Sequence, residues 1–184
     1  MSGRIFCAID NGVTGTLGAV DETNEWSFFM KVPTYSAKEY MKSKDRNMTH
    51  VDYDQLCKIL KSLSDQGPLV IVTERPFVNP RMFKATMSGV RAHEVLLAAL
   101  RSLKLDLYAT WDSRDWQHEE LGDFDKGESK QKSLKIGLTN FPEHAELMKK
   151  HGDADGLHMA RRLRATVLKE EAEKKQLEKE SDND

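Results

Sequence analysis

Cysteine, proline and long hydrophobic runs are scarce in this sequence. It has two cysteines and five prolines in 184 residues. The distance between Cys7 and Cys57 excludes a CxxC motif, so we expect two buried, reduced thiols. No apolar stretch approaches the roughly 18 residues of a membrane span, and the first residues lack the basic and apolar segments of a signal peptide. We therefore expect a cytoplasmic protein with no membrane partner.

A strong net charge is also missing, since the formal charge is −2. This value excludes a general attraction to nucleic acid, so any DNA contact must rest on local basic patches. Residues 169–184 carry seven acidic and four basic residues, which leaves 24 basic against 23 acidic residues in the rest. We interpret residues 1–168 as one domain and residues 169–184 as a charged tail, either a solvated helix or disordered.

The hydrophobic pattern predicts an α/β fold. Three early strands at hairpin-like distances indicate an antiparallel meander, and the apolar run "LVIVT" is typical of a central parallel strand. Together with the later elements, this order predicts a mixed sheet of three antiparallel strands plus parallel strands, flanked by helices. The predicted strands are 4–10, 14–22, 25–32, 69–74 and 105–111; the helices 51–66, 90–104, 129–141 and 153–168; the loops 33–50 and 112–130; and 76–89 is a loop or the start of a helix.

Four carboxylates occupy related positions in this pattern. Asp10 and Glu74 each end an apolar strand, and ligands commonly bind at that edge of an open α/β sheet. Asp153 and Asp155 lie in the first turn of the last helix. Each residue alone has an ordinary alternative role, as a turn aspartate, an ion-pair partner of a nearby arginine or a helix N-cap. Their recurrence in the order strand, strand, helix start favours a common site.

The chemistry of such a cluster points to a hard cation. Crowded carboxylates raise one another's pKa unless a cation compensates their charge. Mg²⁺ prefers oxygen ligands, and two such ions activate water and stabilise the leaving oxygen of a phosphodiester. Gly12 and Gly15 follow Asp10 and would either bring backbone close to a phosphate or make room for a metal ion. We favour the second interpretation, in which the glycines clear space for the metal and the scissile phosphate.

These motifs resemble those of the RuvC family of Holliday junction resolvases, which have an RNase H-like fold. "AIDNGVTGTLGAV" resembles the first strand motif, with Asn11 in place of the usual proline, and "VIVTERPF" resembles the second, with its aromatic residue at Phe77. "KATMSGVRAHEVLLAAL" is similar to the helix that supports the dimer and the DNA surface, and "DADGLHMA" to the terminal motif. The similarity spans roughly residues 4–164 and is closest in character to divergent phage resolvases, whose "W…K…S…FP" arrangement corresponds here to Trp116, Lys132, Ser133 and Phe141-Pro142.

The resemblance implies a nuclease with two Mg²⁺ ions per active site, for which Mn²⁺ would substitute. It further implies a homodimer that makes paired nicks in branched DNA by in-line hydrolysis, leaving 5′-phosphate and 3′-hydroxyl ends. For a phage-encoded protein, the compartment would be the host-cell cytoplasm. By this resemblance, the family's metal-binding catalytic positions fall on Asp10, Glu74 and Asp155. The family's fourth ligand usually lies where this chain has Gly152, so we expect Asp153 to replace it, with His151 as the second choice.

Basic residues cluster in four segments beside these motifs. Together they indicate a phosphate track, although each alone fits an ordinary solvated surface. Phe77 and Phe83 would stack on unpaired bases if exposed, or belong to the core if buried. Lys132 or Lys135 would stabilise phosphate charge or simply lie on a helix surface, and we group Lys132 with the catalytic residues. The four segments hold Lys38, Lys42, Lys44 and Arg46; Arg75, Arg81 and Lys84; Arg91; and Lys126, Lys130, Lys132 and Lys135. From these segments and the aromatic residues, we expect DNA to be bound by Arg75, Phe77, Arg81, Lys84, Arg91, Lys130 and Lys135.

The preferred hypothesis is therefore a Mg²⁺-dependent endodeoxyribonuclease that resolves four-way (Holliday) junctions, with other branched junctions as an open question. One alternative is a junction-binding protein that does not cleave, because Gly152 replaces a usual ligand. Another is a small actin-like-fold phosphotransferase, in which a strand-end aspartate with glycines also opens the domain. That class needs a second phosphate-binding motif and usually twice the length, and the sequence offers neither.

Overall fold

The computed structural model describes residues 3–38, 47–125 and 127–181, in which seven strands and six α-helices follow one another. The strands are β1 (Ile5–Ile9), β2 (Thr16–Asp21), β3 (Ser27–Lys31), β4 (Thr34–Lys38), β5 (Asn47–Val51), β6 (Leu69–Glu74) and β7 (Leu107–Trp111). The helices are α1 (Tyr53–Ser64), α2 (Phe83–Leu103), α3 (Ser113–Leu121), α4 (Ser129–Asn140), α5 (Ala145–His151) and α6 (Asp155–Ser181).

Five of the strands form a mixed sheet in the order β3-β2-β1-β6-β7. β2 pairs antiparallel with both β1 and β3, whereas β6 pairs in parallel with both β1 and β7. The predicted α/β fold, a mixed sheet with an antiparallel meander and parallel strands flanked by helices, is confirmed. Because β1 is central and parallel to β6, both strands deliver their last residues to the same edge of the sheet.

The core lies on both faces of this sheet. Side chains alternate along a strand, so Ile5, Cys7 and Ile9 of β1 pack with α1 and α2. Phe6 and Ala8 point to the opposite face and pack with α6, together with parts of α3 and α5. All five residues of β1 are buried. Cys7 and Cys57 are free thiols, and Cys7 is buried as expected, whereas Cys57 is only half-buried.

Two segments that the sequence analysis assigned to loops contain regular structure. Within 33–50, β4 and β5 form a separate two-stranded antiparallel sheet, in which Tyr35 stacks on its cross-strand partner His50 at a ring distance of 5.4 Å. Residues 39–46, which include Lys42, Lys44 and Arg46 of the first basic segment, lie outside the described residues. Within 112–130, α3 forms with Trp116 and Leu121 buried, and the helix packs on α4 and α6.

Helix boundaries also differ from the prediction. α2 begins at Phe83, seven positions before the predicted start, and a 3₁₀ turn over Pro80–Met82 precedes it. The side chain of Asn79 accepts a hydrogen bond from the backbone of Arg81 and caps this turn. α6 continues past residue 168 to Ser181 without a break. None of the helices in the described ranges is long and apolar enough to cross a membrane.

Candidate active site

Asp10 and Glu74 lie side by side at the carboxyl edge of the sheet. The parallel register pairs Ile9 of β1 with Thr73 of β6, so the next residue of each chain segment carries a carboxylate. The Thr73 hydroxyl is buried and donates a 3.1 Å hydrogen bond to the Ile9 carbonyl, which fixes the two strand ends together. The predicted meeting of two strand-end carboxylates is therefore present in the fold.

The two carboxyl groups affect each other directly. Burial raises the pKa of Asp10 well above its usual value, and the charge of Glu74 together with a hydrogen bond between the two groups raises it further. Burial also raises the pKa of Glu74, although hydrogen bonds from Asp10 and from the Ser113 hydroxyl oppose that shift. Both pKa values are raised for the same main reason, which is that two carboxyl groups are desolvated beside each other.

A close backbone contact brings the start of α6 to this edge. A Cβ on Gly18 of β2 would lie 2.3 Å from the carbonyl carbon of Gly156, so only glycine permits the contact. The Gly156 amide donates a 3.0 Å hydrogen bond to the buried Thr16 hydroxyl. These contacts hold the first turn of α6, and with it Asp155, against the central strands.

Asp155 is almost fully buried beside the other carboxylates. Burial raises its pKa to about 7, with further contributions from the charges of Asp10 and Asp153. The Ser133 hydroxyl of α4 donates a 2.5 Å hydrogen bond to Asp155 Oδ1, which favours the charged form. The same pKa shifts show that Asp10, Asp153 and Asp155 lie close enough to repel one another.

Asp153 is 1% exposed and has one paired and one unpaired oxygen. Its Oδ2 accepts a 3.3 Å hydrogen bond from the Lys130 ammonium group. Its Oδ1 is buried and has no hydrogen-bond partner among the residues that the structure describes. Burial acts to lower the pKa of Lys130, but the charges of Asp153, Asp155 and Asp10 outweigh it, so that the pKa is raised.

The donor set fits a hard divalent cation in its chemistry. The anionic oxygens of the site belong to carboxylates, one of them is buried without a partner among the described residues, and the repulsion among the groups calls for positive charge. In the described residues, however, no three His, Cys, Asp or Glu side chains converge closely enough to hold an ion as they stand.

The positions around Gly152 distinguish the two candidates for the fourth ligand. Gly152 ends α5 in the left-handed region, with φ +85°. Asp153 follows it directly and points into the carboxylate cluster. His151 is half-buried, and its ring packs edge-on against Phe29 at 6.1 Å.

The glycines after Asp10 have different roles from those expected. A Cβ on Gly15 would lie 2.0 Å from the Asp10 carbonyl oxygen, so Gly15 is required by a tight turn of the backbone. Gly12 has φ +146°, and its Cβ position is open, with the nearest atom 4.0 Å away. The interpretation that both glycines clear space for a metal ion is therefore wrong for Gly15, because the Asp10 backbone occupies the space beside it.

One of the three lysines of α4 contacts the carboxylate cluster, and the other two lie outside it. Lys130 contacts Asp153, as described above. The Lys132 ammonium group instead donates a 2.5 Å hydrogen bond to the Asp123 carbonyl, and Lys132 and Lys135 line an open groove on the outer side of α4. The lysine nearest to the carboxylates is thus Lys130, which the sequence analysis assigned to DNA binding.

The predicted DNA-binding residues that the structure describes are exposed. Phe77 is 72% exposed and Phe83 is 69% exposed, which leaves them available for stacking. Arg75 forms a 3.2 Å ion pair with Asp112, and a recess of about 330 Å³ separates the loop after β1 from Phe77 and the start of α2. Arg81, Lys84 and Arg91 are exposed, with Arg91 against the sulfur of Met48, whereas Lys126 lies outside the described residues.

The sequence analysis assigned no role to two hydroxyl groups of the site. Ser133 contacts Asp155, and Ser113 at the start of α3 contacts Glu74. Ser113 follows Asp112 at a strand-to-helix junction, a signal equivalent to the one that identified Asp10 and Glu74. Ser133 was named only within the arrangement that resembles phage resolvases, and its contact with Asp155 depends on how α4 docks on α6.

Solved structures with a similar chain come from Thermus thermophilus. RuvC in complex with a Holliday junction substrate aligns with a TM-score of 0.47 and 17% identity, covering 87% of this chain and 91% of that chain. A second Thermus thermophilus RuvC structure aligns with a TM-score of 0.43 and 15% identity, covering 87% and 92%. No protein-family model matches the sequence, and no curated protein matches it. The fold assignment rests on the strand order and directions of the central sheet.

Proposed function

We propose that this protein is a metal-dependent endodeoxyribonuclease of the RuvC type that resolves four-way DNA junctions. The observation that carries the proposal is the meeting of Asp10, Glu74, Asp153 and Asp155 from two parallel strands and a helix start at one edge of the sheet. A set of buried carboxylates is costly for a fold unless it binds a cation. The motifs that resemble the RuvC family contain the same four residues.

The carboxylates would hold two Mg²⁺ ions, or Mn²⁺ in their place. The chemistry that such ions supply when bound is activation of water and stabilisation of charge on the leaving oxygen of a phosphodiester. The protein's own residues orient these ligands: Thr73 ties the two strand ends together, and Gly18 admits the start of α6. Lys130 lies at the exposed side of the cluster, where its charge would attract the scissile phosphate.

The surface beside the cluster supports a branched DNA substrate. The exposed rings of Phe77 and Phe83 can stack on unpaired bases. Linear duplex DNA has no unpaired bases, so these rings favour a branched substrate. Arg81, Lys84 and Arg91 supply exposed positive charge along the start of α2.

Paired nicks require two active sites related by a two-fold axis, so we also propose a homodimer. α2 offers a face for it. Val90, His93 and Leu97 recur at helical spacing and remain half-buried in the single chain.

The decisive experiment compares nicking of a synthetic four-way junction with nicking of a linear duplex of matched sequence. Wild type, Asp10→Asn and the exposed control Asp65→Asn are incubated with Mg²⁺ or with EDTA. We expect paired, Mg²⁺-dependent cuts by wild type and Asp65→Asn, and junction binding without cuts by Asp10→Asn. Equal cutting of the duplex, or cutting that survives in EDTA, would contradict the proposal.

A second candidate function is junction binding without cleavage. It is favoured by Gly152 at a usual ligand position and by the absence of a ready-made metal cluster among the described residues. Tight junction binding with no cuts from wild type would replace the nuclease proposal with this one. If neither binding nor cutting occurs, the likeness is one of fold alone, and ATP binding becomes the next measurement.

A further inference from the structure

Ser133 links three parts of the candidate site through one residue. Its hydroxyl donates to Asp155 Oδ1 at 2.5 Å and accepts from the Ala154 amide at 3.0 Å. Its backbone carbonyl accepts a 2.9 Å hydrogen bond from His158 Nε2, and because a carbonyl only accepts, that nitrogen carries the proton. Ser133 is 0% exposed, so no water competes for these bonds.

The helix that carries Ser133 docks tightly on the start of α6. A Cβ on Gly137 would lie 2.4 Å from Ala154 Cβ and 2.9 Å from the Met148 sulfur, so the contact tolerates no side chain there. Positions 130, 133 and 137 recur at helical spacing and share one face of α4. The docking that brings Ser133 to Asp155 therefore also brings Lys130 to Asp153.

We propose that Ser133 is a positioning residue that sets the orientation of Asp155 for metal binding and fixes α4, with Lys130, over the site. This inference deepens the proposed function and rests on it. By bonding Oδ1, Ser133 fixes the plane of the Asp155 carboxylate and leaves Oδ2 as the oxygen available to a cation. Partners that orient metal ligands in this way typically change metal affinity or activity by roughly 10–100-fold when they are removed.

A hydroxyl group suits this position better than any other small polar group. It donates one hydrogen bond and accepts another at the same oxygen, which matches a carboxylate oxygen on one side and an amide on the other. Ser133→Ala would leave the Ala154 amide and Asp155 Oδ1 without these partners in a buried place. The substitution removes a single atom, so the helix and its packing through Gly137 are retained.

The test measures Mn²⁺ binding to the DNA-free protein by calorimetry, for wild type, Ser133→Ala and Thr139→Ala. Thr139 is a matched control, because its hydroxyl bonds the Lys135 carbonyl on the exposed side of the same helix. We expect Ser133→Ala to weaken Mn²⁺ binding by roughly tenfold or more, and Thr139→Ala to bind as wild type does. Junction affinity in EDTA should be unchanged in both variants, and saturating Mn²⁺ should recover part of the nicking rate of Ser133→Ala.

A measurement on wild type alone guards against a variant that fails to fold. Amide hydrogen exchange at Ala154 should be slow, because the Ser133 hydroxyl accepts from that amide. Fast exchange there, or Mn²⁺ affinity of Ser133→Ala equal to that of wild type, would overturn the inference even if wild type nicks junctions. Conversely, weakened Mn²⁺ binding in Ser133→Ala with no nicking by wild type would remove the nuclease proposal and keep the metal-positioning role.

Discussion

Gly18 and Gly156 bring two backbones into direct contact at the centre of the protein. The Cβ that either residue lacks would lie within 2.6 Å of the other's backbone. This contact lets α6 begin directly over β2, so that Asp155 reaches the carboxylates that end β1 and β6. The geometry of the candidate site therefore depends on a pair of residues that carry no reactive group.

Gly18→Ala should destabilise the protein strongly for this reason. The added methyl group would meet backbone atoms that cannot rotate away, so we expect a loss of about 3 kcal/mol in the free energy of unfolding, the upper end for overpacking. Gly89→Ala is the control, since its Cβ would meet only Pro76 at 3.9 Å and alanine favours the helix. Urea denaturation of both variants checks this, and a Gly18→Ala variant as stable as wild type would contradict it.

Asp10→Asn should stabilise the metal-free protein while abolishing nicking. The pKa of Asp10 is raised in the folded state by burial and by Glu74, so its stabilising contribution is present at low pH and lost as the pH rises through the folded-state pKa. Once the pH exceeds the folded-state pKa, the ionised group destabilises the fold, and asparagine removes this cost.

Thermal unfolding in EDTA, followed over a range of pH, provides the measurement for Asp10→Asn. A gain of 1 kcal/mol corresponds to about 2–4 °C in Tm for a chain of this size. The difference from wild type should shrink as the pH is lowered and when Mg²⁺ is added. A lower Tm for the variant in EDTA would mean that the carboxylate cluster is not under electrostatic strain.

Lys130 should matter more for cleavage than Lys132. Lys130 bonds Asp153 inside the cluster, whereas Lys132 bonds the Asp123 carbonyl outside it. We expect Lys130→Ala to reduce the single-turnover nicking rate by roughly 10–100-fold, and Lys132→Ala to change it little. The reverse order would restore the catalytic role that the sequence analysis gave to Lys132.

The sequence was sufficient to predict the central sheet and the two carboxylates at the ends of its strands. The continuous apolar runs of β1 and β6 reflect burial on both faces of the sheet, a constraint that acts locally on each strand. Asp10 and Glu74 stand out because they interrupt that burial at a strand end. Parallel pairing then brings them together without any further information.

The parts that the sequence did not reveal depend on contacts between distant segments. β4 and β5 lack an apolar pattern, and their pairing is supported by the Tyr35–His50 stack and by packing on α2. The choice between Lys130 and Lys132 follows from the docking of α4 through Ser133 and Gly137, which no periodicity within that helix specifies.

The two cysteines should differ in reactivity. Burial raises the pKa of the Cys7 thiol to about 12, so almost no thiolate forms at pH 8, and the sulfur is also inaccessible. Cys57 is half-buried, with its sulfur 3.8 Å from the Ser102 hydroxyl. Iodoacetamide at pH 8 followed by mass spectrometry should modify Cys57 in the native protein and Cys7 only after denaturation. Modification of native Cys7 at the rate of Cys57 would contradict the buried position of β1.

Phe77→Ala should weaken junction binding without affecting the fold. Phe77 is 72% exposed, so its removal creates no cavity and should change the free energy of unfolding by less than about 0.5 kcal/mol. A base stacked on an aromatic side chain contributes about 1–3 kcal/mol, which corresponds to a loss of roughly 5- to 150-fold in junction affinity.

Linear duplex DNA provides the internal control for Phe77→Ala, because its bases are paired and stacked on one another. Fluorescence anisotropy in EDTA measures both affinities without cleavage, and the loss should be confined to the four-way junction. An equal loss on both substrates would assign Phe77 to general DNA contact. No loss on either would mean that the exposed ring serves another partner, and the dimer would be the first place to look for it.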